Sequence, residues 1–465
     1  MFDAFPAPRG RTAGRMRRIE GIPEERGQAI TVELDGDPVP AFDGEPVALS
    51  LLAAGEKVFA RSIKYHRPRG PYCFAAACSH CLMRVDGVPN IYTCRTPARA
   101  GMRLERQNAY PSVKVDVFQS IDWLFPRGLD HHAMFAGVPV AEKVMAKVAR
   151  HLAGLGLLPE SPAPERMPCQ TLRVKVAIAG GGASGLLAAH RLHQRAVPFL
   201  LFERDPFLGG RLLTAPDAAR PPALPAGELP PDQVRLRSPV IGLYDDEDGW
   251  FFAVVSAADS GPRLLKVYAD RFLVAVGGHP PTLPFEDNEL PGVFSGRAAS
   301  LMIQRHGLLV AQEPALVGRG PELYALARLL ERHGAKVAAV VDVGGEPREG
   351  AVAGTDLKAH GRTWASGLSF ARRGARRKKV DCDGILVSVP CSPSFELARQ
   401  AGARVSWSAP HQTFVVEADQ DGRTHAPFLY VSGELTGHCS PQESAVSGER
   451  AADAIAAAGT GAASP

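Results

Sequence analysis

Four cysteines in the first quarter of the sequence have a spacing that suits metal ligation. Cys73, Cys78, Cys81 and Cys94 are separated by four, two and twelve residues. This spacing favours a [2Fe–2S] cluster, because a tight loop supplies three thiolates and a nearby hairpin supplies the fourth. Structural zinc sites use cysteine pairs that lie about two to four residues apart. We therefore predict a [2Fe–2S] cluster, and zinc or inert buried thiols remain the alternatives.

A histidine inside the same loop, His80, offers a second type of ligand. Histidine replaces cysteine on one iron of Rieske centres. Because four cysteines are available, we interpret His80 as a neighbour of the cluster. The remaining cysteines are interpreted as packed or surface thiols; they are Cys169, Cys382, Cys391 and Cys439. This clustered layout is unlike a secreted disulfide framework and predicts a reducing, cytoplasmic compartment.

A glycine motif later in the sequence has the form that binds dinucleotides. Gly180, Gly182 and Gly185 follow an apolar strand and open a helix, and Glu203 ends the next strand. The glycines permit a tight turn, approach of a pyrophosphate and close packing of helix on strand, while the acid binds ribose hydroxyls. The sequence therefore predicts a dinucleotide site here.

A short segment after this motif could extend the same site. Gly209, Gly210 and Arg211 could supply backbone donors and a guanidinium close to a diphosphate. The alternative is a simple turn between a strand and a loop.

A second, weaker motif resembles the first. Gly318 and Gly320 follow a strand, Leu323 replaces the third glycine, and Asp342 ends the next strand. Asp342 could hold a ribose diol, as NAD would require. Leu323 could instead crowd the helix against the strand, so an empty or altered site is the alternative.

Several function classes are excluded by the sequence. Lys and Arg exceed Asp and Glu by 53 to 49, a surplus of four that is too small for a nucleic-acid footprint. No apolar run approaches the roughly 20 residues of a membrane span, and the N-terminal segment lacks the apolar core of a signal peptide. Motifs of hydrolases, metalloproteases and phosphoryl-transfer enzymes are absent.

Short strands and one helix are expected around the cysteine loop. Residues 30–34 alternate between apolar and polar side chains, and Asp35-Gly36 suits a hairpin turn. Residues 46–54 are typical of a helix, and Asp86-Gly87 marks a second hairpin. Residues 30–105 are therefore predicted to form a small α+β unit.

The rest of the chain has the pattern of a parallel sheet. Strand, glycine turn and helix follow one another at 172–202 and again at 315–342, which indicates two βαβ units and a duplicated nucleotide-binding architecture. Helices are expected at 140–152 and 442–458. The segment 356–378 is rich in Arg and Lys and has no assigned element.

Several longer stretches resemble the α-subunit family of heterotetrameric sarcosine oxidase. The sequence is also similar to the FAD subunits of hydrogen cyanide synthase and of opine and hydroxyproline dehydrogenases. The resemblance covers almost the whole chain in order, and its main segments are RSIKYHRPRG at 61–70, QNAYPSVKVD at 107–116, VGG at 276–278, NELPGVF at 288–294 and GELTG at 433–437.

The resemblance implies a fold class and a domain order. It predicts an α+β ferredoxin-like (β-grasp) N-terminal domain, followed by an α/β flavoprotein with two dinucleotide-binding domains, similar to glutathione reductase. The expected parts are an N-terminal arm at 1–27, a [2Fe–2S] ferredoxin-like domain at 28–108, a helical linker at 109–170, the first part of an FAD-binding domain at 171–298, an NAD-binding-like domain at 299–395 and the second part of the FAD-binding domain at 396–465.

The resemblance also implies that the first glycine motif holds FAD. Gly180, Gly182, Gly185, Glu203 and Arg211 would bind the flavin nucleotide. Further candidates for the FAD site are Arg204, Gly209, Gly210, Val240, Gly277, Gly433 and Glu434. Among these, the Gly433-Glu434 pair would meet the ribityl and phosphate region ahead of the last helix, which suits an anion at a helix N-terminus.

From this resemblance we expect an FAD and [2Fe–2S] electron-transfer subunit of a hetero-oligomeric amine or amino-acid dehydrogenase or oxidase. The substrate would be of the sarcosine, glycine, opine or imino-acid type. The expected partner is an FAD-containing β subunit that oxidises the amine; further small subunits and an FMN at the interface are left open. The sequence ends before the aminomethyltransferase-like region of sarcosine oxidase α subunits, so one-carbon transfer to folate is not expected.

Two alternatives remain open. One is a self-contained NAD(P)H-dependent flavin and iron–sulfur reductase, with NAD at Gly318, Gly320 and Asp342. The other is a scaffold whose cofactors only stabilise a partner. No catalytic residue is assigned, because no amino-acid site is visible in the sequence.

Overall fold

The computed structural model divides into two compact units. One consists of residues up to 162 together with 282–389, and the other of 163–281 together with 390–465. The described residues are 16–23, 26–63, 65–120, 167–216, 229–257, 261–344, 347–348, 350–372, 375–438 and 440–459. The helix expected at 140–152 and Cys439 lie outside them.

A small mixed sheet and one helix form the N-terminal part of the first unit. Its elements are β1 (Arg17–Arg18), β2 (Ala29–Leu34), β3 (Asp37–Phe42), α1 (Val47–Ala53), β4 (Ala60–Arg61), β5 (Pro68–Arg69), β6 (Leu82–Val85), β7 (Val88–Tyr92), β8 (Arg103–Glu105) and a 3-10 turn at Val117–Gln119. Five strands form one sheet in the order β3-β2-β8-β6-β7, in which only the β2–β8 pair is parallel. The predicted α+β fold of this region is confirmed.

Alternating side chains explain why this sheet folds over its helix. Val32 and Leu34 of β2 are buried, whereas Glu33 between them is exposed. In α1, Leu49 and Leu52 are buried in the same apolar core. The strands and helix thus enclose one small core and leave the cysteine loop, between β5 and β6, to be positioned by its two flanking strands.

The next segment begins the second compact unit with a glycine turn between strand and helix. Its elements are β9 (Cys169–Ala179), α2 (Ala183–Gln194), β10 (Phe199–Phe202), α3 (Arg211–Thr214), a 3-10 turn at Pro231–Gln233, β11 (Val234–Arg235), β12 (Val240–Asp246), β13 (Gly249–Ser256), β14 (Arg263–Val274) and β15 (Gly278–His279).

The chain then returns to the first unit and builds a parallel sheet. Its elements are β16 (Val293–Ser295), α4 (Gly296–His306), β17 (Leu308–Leu309), β18 (Pro314–Gly318), α5 (Pro321–Arg332), β19 (Ala339–Asp342), β20 (Val352–Ala353), β21 (Thr355–Gly361), β22 (Ala365–Arg372), β23 (Ala375–Asp381) and β24 (Gly384–Ser388). Five strands are parallel in the order β16-β24-β18-β19-β20, and β1 pairs with β17.

The last segment completes the second unit. Its elements are β25 (Ser392–Pro393), α6 (Glu396–Gln400), β26 (Val405–Ser408), β27 (Thr413–Val416), β28 (Leu429–Val431), a 3-10 turn at Gly433–Thr436 and α7 (Pro441–Ala457). The main sheet has the order β11-β10-β9-β14-β13-β12, and β28 pairs in parallel with β14. The duplicated α/β nucleotide-binding architecture is confirmed.

Within the first unit, the N-terminal domain and the parallel-sheet domain share apolar cores. Leu49 and Met83 belong to the same buried cluster as Met302 and Leu326. A second buried cluster joins Cys73 to residues of the parallel sheet. The cysteine loop is therefore held by two domains that are far apart in sequence.

The compact units differ in two respects from the predicted segments. Strand β16 lies within the segment predicted as 171–298, but it pairs in parallel with β24 of the second nucleotide sheet. The unassigned basic segment 356–378 contains three antiparallel strands, β21, β22 and β23. In the described parts of the chain, no helix is both long and apolar enough to cross a bilayer.

A half-buried histidine at the end of α4 links the stability of the first unit to pH. Burial lowers the pKa of His306 to about 4, and Arg305 adds to the decrease. In the unfolded chain the imidazole binds a proton near pH 6.5. The contribution of His306 to the unfolding free energy is therefore fully present above that pH and is lost as the pH falls towards 4. When the pH falls from 7 to 5, His306 is expected to lower the unfolding free energy by about 2 kcal/mol.

This pH dependence is measured by urea unfolding of the full chain at both pH values. The His306→Gln variant should lose about 2 kcal/mol less than the unchanged chain over this interval. The exposed His193 of α2 provides the matched control, His193→Gln. An identical pH dependence in all three proteins would contradict the assignment.

Candidate functional site

The cysteine loop folds back on itself between β5 and β6. It carries Cys73, Cys78 and Cys81, and Cys94 follows β7. Three of these thiols are buried, and Cys78 is half-buried. The loop thus carries three of the predicted ligands and the hairpin carries the fourth, the division that the spacing predicted.

The loop backbone is shaped to donate hydrogen bonds to sulfur. Phe74 and Ala76 have left-handed φ angles of 49° and 53°, which are uncommon for residues with a side chain. The Ala75 amide donates to Cys73 Sγ at 3.4 Å, and the Ala77 amide also bonds to this sulfur. Amides that donate to a thiolate stabilise its negative charge, so the loop is suited to hold deprotonated cysteines.

The four thiols interact as two pairs. The hydrogen bond between Cys73 and Cys78 lowers the pKa of Cys73 to about 6 and raises the pKa of Cys78. The contact with Cys81 raises the pKa of Cys94. Among the residues that the structure describes, no three His, Cys, Asp or Glu side chains are placed to hold one metal ion. Two adjacent thiol pairs suit the two irons of a [2Fe–2S] cluster, whereas structural zinc needs four donors around one ion.

Charged side chains lie beside the loop. Arg69 Nη1 donates to His80 Nε2 at 3.1 Å, and Arg67 forms an ion pair with Glu289 at 2.6 Å. Burial lowers the pKa of His80 to about 4, and the nearby Arg69 charge adds to this. His80 therefore bonds to a guanidinium, as expected of a neighbour of the cluster.

The first glycine motif forms a tight turn between β9 and α2. Gly180 has a φ of 98°, and a Cβ atom there would lie 2.5 Å from the Ala275 carbonyl oxygen. A Cβ atom on Gly185 would lie 1.8 Å from the Gly180 carbonyl oxygen, whereas one on Gly182 would meet no protein atom within 4 Å. Two of the glycines are therefore required for packing, and Gly182 leaves open space at the helix N-terminus.

The acidic residue after β10 lies directly at this turn. Glu203 is buried, and its carboxylate accepts the Gly181 amide at 2.6 Å and the Asp205 amide at 2.8 Å. This is the position from which an acid binds the ribose diol of a dinucleotide.

The remaining FAD candidates come from three separate segments and lie around the same helix N-terminus. The Gly209 amide donates to the Gly181 carbonyl at 2.8 Å, and a Cβ atom on Gly210 would lie 2.9 Å from the Gly182 Cα atom. A Cβ atom on Gly433 would lie 3.1 Å from the Ser184 Cβ atom. The structure thus brings distant glycines together where a diphosphate would bind.

An ion pair connects two of the predicted contacts. Arg211 Nη1 donates to Glu434 Oε1 at 2.8 Å. Gly277 has a φ of 70°, and a Cβ atom there would lie 3.3 Å from Glu434 Oε2. The Glu434 side chain therefore reaches the guanidinium predicted for the diphosphate region.

A cavity of about 230 Å³ opens beside the turn. The predicted residues Gly180, Glu203, Arg204 and Val240 line it. Residues that the sequence analysis did not identify also line it; they are Phe202, Pro239, Val276, Ser394, Glu396 and Leu397. The last three come from residues 390–400, where the sequence carries no recognisable motif.

The second glycine motif differs from the first in its surroundings. A Cβ atom on Gly318 would lie 1.7 Å from the Ser388 carbonyl oxygen, so this glycine is required. Leu323 is fully buried in the core. Asp342 is also buried, and its carboxylate accepts the Tyr324 hydroxyl and the Gly344 amide, the latter at 2.6 Å. Each Asp342 oxygen therefore accepts a hydrogen bond from this chain, as each Glu203 oxygen does at the first turn, and the buried Leu323 is what distinguishes the second motif.

Two models of known protein families match parts of the chain. Residues 27–109 match the model of a 2Fe-2S iron-sulfur cluster binding domain. Residues 178–236 match the model of an NAD(P)-binding Rossmann-like domain. The protein is thus of the class that joins a [2Fe–2S] domain to a nucleotide-binding oxidoreductase fold.

Individual relatives give the family. The chain is 26% identical over 436 residues to sarcosine oxidase subunit alpha of Rhizobium meliloti, which covers 86% of this chain and 43% of that subunit. It is 37% identical over 79 residues to hydrogen cyanide synthase subunit HcnA of Pseudomonas aeruginosa, covering 17% of this chain and 75% of HcnA. Over this N-terminal region the chain belongs to the family of hydrogen cyanide synthase subunit HcnA, and over most of its length it is similar to sarcosine oxidase alpha subunits. It spans less than half the length of the sarcosine oxidase subunit.

A solved structure supports the fold. The L-proline dehydrogenase of P. horikoshii superposes with a TM-score of 0.65 at 20% identity, over 91% of this chain and 73% of that chain. The fold class predicted from the sequence is therefore confirmed by a similar fold of known structure.

Proposed function

We propose that the chain is the FAD and [2Fe–2S] electron-transfer subunit of a hetero-oligomeric amine or amino-acid dehydrogenase or oxidase. The observation that carries the proposal is the combination, in one chain, of the paired-thiol loop with the complete dinucleotide turn at Gly180, Gly182 and Gly185. Similarity to sarcosine oxidase alpha subunits supports the amine as substrate class. The cytoplasmic location stays a prediction.

The chain's own residues would hold both groups. The cysteine loop supplies two thiol pairs, and its amides stabilise the thiolate charge. The N-terminus of α2 and Arg211 would neutralise a diphosphate, and Glu203 would bind a ribose diol. When bound, a flavin exchanges one or two electrons and a [2Fe–2S] cluster exchanges one, which is the chemistry that links a two-electron donor to a one-electron carrier.

The amine is proposed to be oxidised in a partner subunit. Oxidation of an amine to an imine releases two electrons and two protons, and the electrons would pass through this chain to an acceptor. The described residues hold two electron-carrier sites, and no further group among them was identified as an amino-acid site. The proposed partner is therefore a flavoprotein subunit that binds the amine.

The test uses the full chain, tagged and purified from cells that produce its natural partners. We expect a stoichiometric flavoprotein partner, FAD among the nucleotides released by acid, and iron and sulfide in equal amounts. Anaerobic addition of sarcosine, glycine, proline or an opine should bleach the complex and leave the isolated chain unchanged. Oxidation of any of these amines by the isolated chain at the rate of the complex would overturn the proposed division of roles.

The rival reductase makes a separate prediction about NADH. Because the buried Leu323 occupies the position of the third glycine of the motif, we expect NADH to leave the flavin and cluster absorption of the isolated chain unchanged. An anaerobic NADH titration followed in the visible range measures this. Dithionite serves as the control, since it should reduce both groups. Rapid bleaching by NADH would favour the reductase instead.

A further inference from the structure

The two thiol pairs of the cysteine loop have different surroundings within the first unit. Cys81 and Cys94 are buried in the cluster that also holds Leu49 of the N-terminal domain and Met302 of the parallel-sheet domain. Cys73 and Cys78 belong to the cluster that includes Val293 of the parallel-sheet domain. Both thiol pairs therefore share an apolar core with the parallel-sheet domain.

A half-buried guanidinium, that of Arg69, lies beside the Cys73–Cys78 pair. Arg69 ends strand β5, and its Nη1 donates to His80 Nε2 at 3.1 Å, which fixes the side chain beside the loop. Its charge interacts with Cys78 and with Glu289. Arginine stays protonated in proteins even when burial lowers its pKa, so Arg69 is a permanent cation at this position.

The charges around Arg69 do not cancel. Glu289 is already paired with Arg67 through a 2.6 Å contact. Glu289 therefore compensates the Arg69 charge beside Cys78 only in part. Partial burial weakens the screening of this charge by water and salt.

We propose that Arg69 raises the reduction potential of the cluster by stabilising its reduced form. Reduction adds one negative charge to a cluster, and a nearby fixed cation favours that state. The inference rests on the proposed [2Fe–2S] cofactor and adds a tuning residue, which contacts the loop through His80 and is not a ligand. The parallel-sheet domain would also affect the potential of the cluster, because Glu289 of that domain sets how much of the Arg69 charge remains uncompensated.

The test is a redox titration of the reconstituted full chain, followed by visible absorption and by electron paramagnetic resonance of the reduced cluster. Arg69→Met should lower the ratio of reduced to oxidised cluster about tenfold at a fixed potential, equivalent to about 59 mV for one electron. Arg69→Lys retains the charge and should stay within about threefold of the unchanged chain, which is about half of that shift. Glu289→Gln removes the opposing charge and should shift the ratio in the opposite direction.

A charge change elsewhere in the same domain is the control. Arg99 is exposed and paired with Asp86, so Arg99→Met should leave the titration unchanged. Iron and sulfide content is measured for every variant. Absence of a cluster in the unchanged chain would refute the proposed cofactor. A cluster whose potential is unaffected by both Arg69→Met and Glu289→Gln, or affected equally by Arg99→Met, would refute the role of Arg69. If the Arg69→Met variant does not assemble a cluster, the Glu289→Gln variant tests the role of Arg69: a shift towards the reduced cluster supports it, and no shift refutes it.

Discussion

Replacing Cys94 with alanine is expected to remove the iron–sulfur cluster while leaving the flavin in place. Cys94 is the partner of Cys81 in the second thiol pair, so the variant leaves one iron with a single thiolate. We expect iron and sulfide per chain to fall at least about tenfold, since loss of even an outer-shell partner costs about 10–100-fold in metal affinity. Chemical iron and sulfide assays, with the visible spectrum of the purified chain, measure the result.

A buried cysteine outside the loop provides the matched control. Cys382 is buried in the same unit, and burial raises the pKa of its thiol to about 11, so it remains a neutral packed group. Cys382→Ala should keep its full iron and sulfide content. Retention of the cluster in Cys94→Ala, or an equal loss in Cys382→Ala, would show that the ligand set has been assigned incorrectly.

The parts of the two sites that lie in short segments could be predicted from the sequence. The cysteine spacing and the first glycine motif each encode their geometry within one turn or hairpin, and the structure places these residues as the patterns indicated. Glu203 was also predictable because a ribose-binding acid follows the second strand of such a fold at a nearly fixed distance.

Contacts between distant segments could not be predicted in the same way. Ser394, Glu396 and Leu397 line the cavity beside Glu203 only because the chain returns to this unit after residue 390. The division of the four thiols into two pairs likewise depends on how the hairpin carrying Cys94 meets the loop. Neither arrangement leaves a periodic or motif signal in the sequence.

The basic segment that received no assignment illustrates a different limit. Strand β23 is ARRKKVD, which lacks the apolar alternation of a half-buried strand. It forms because β22, whose side chains are mostly buried, offers a partner edge. A strand that is stabilised by its neighbour alone cannot be recognised from its own residues.

The two nucleotide folds show how one residue separates a predicted site from an altered one. Gly185 and Leu323 occupy the same position, the third residue of the helix that follows each glycine turn. In the first fold this position contacts a carbonyl oxygen and requires glycine, whereas in the second fold it carries a buried leucine. Leu323 can be recognised in the sequence as a departure from the glycine motif, whereas the hydrogen bond from the Tyr324 hydroxyl to Asp342 cannot.

Replacing Gly185 with alanine should therefore destabilise the second compact unit. Alanine is favoured over glycine in a helix interior by about 1 kcal/mol, so propensity alone would make the variant more stable. The new Cβ atom would lie 1.8 Å from the Gly180 carbonyl oxygen, which is backbone and cannot rotate away. Overpacking of this kind costs about 1–3 kcal/mol, so after the propensity gain we expect a net loss of up to about 2 kcal/mol, together with release of the flavin.

Gly182 in the same turn distinguishes a packing defect from loss of a nucleotide contact. A Cβ atom at Gly182 meets no protein atom within 4 Å, so Gly182→Ala should keep its unfolding free energy within about 0.5 kcal/mol of the unchanged chain. It should still bind FAD at least about tenfold more weakly, or by about 1.4 kcal/mol, because the methyl group stands where a pyrophosphate approaches. Urea unfolding of the apoprotein and an FAD titration separate the two effects. Unchanged FAD affinity in Gly182→Ala would mean that no dinucleotide binds at this turn, whatever the stability of Gly185→Ala.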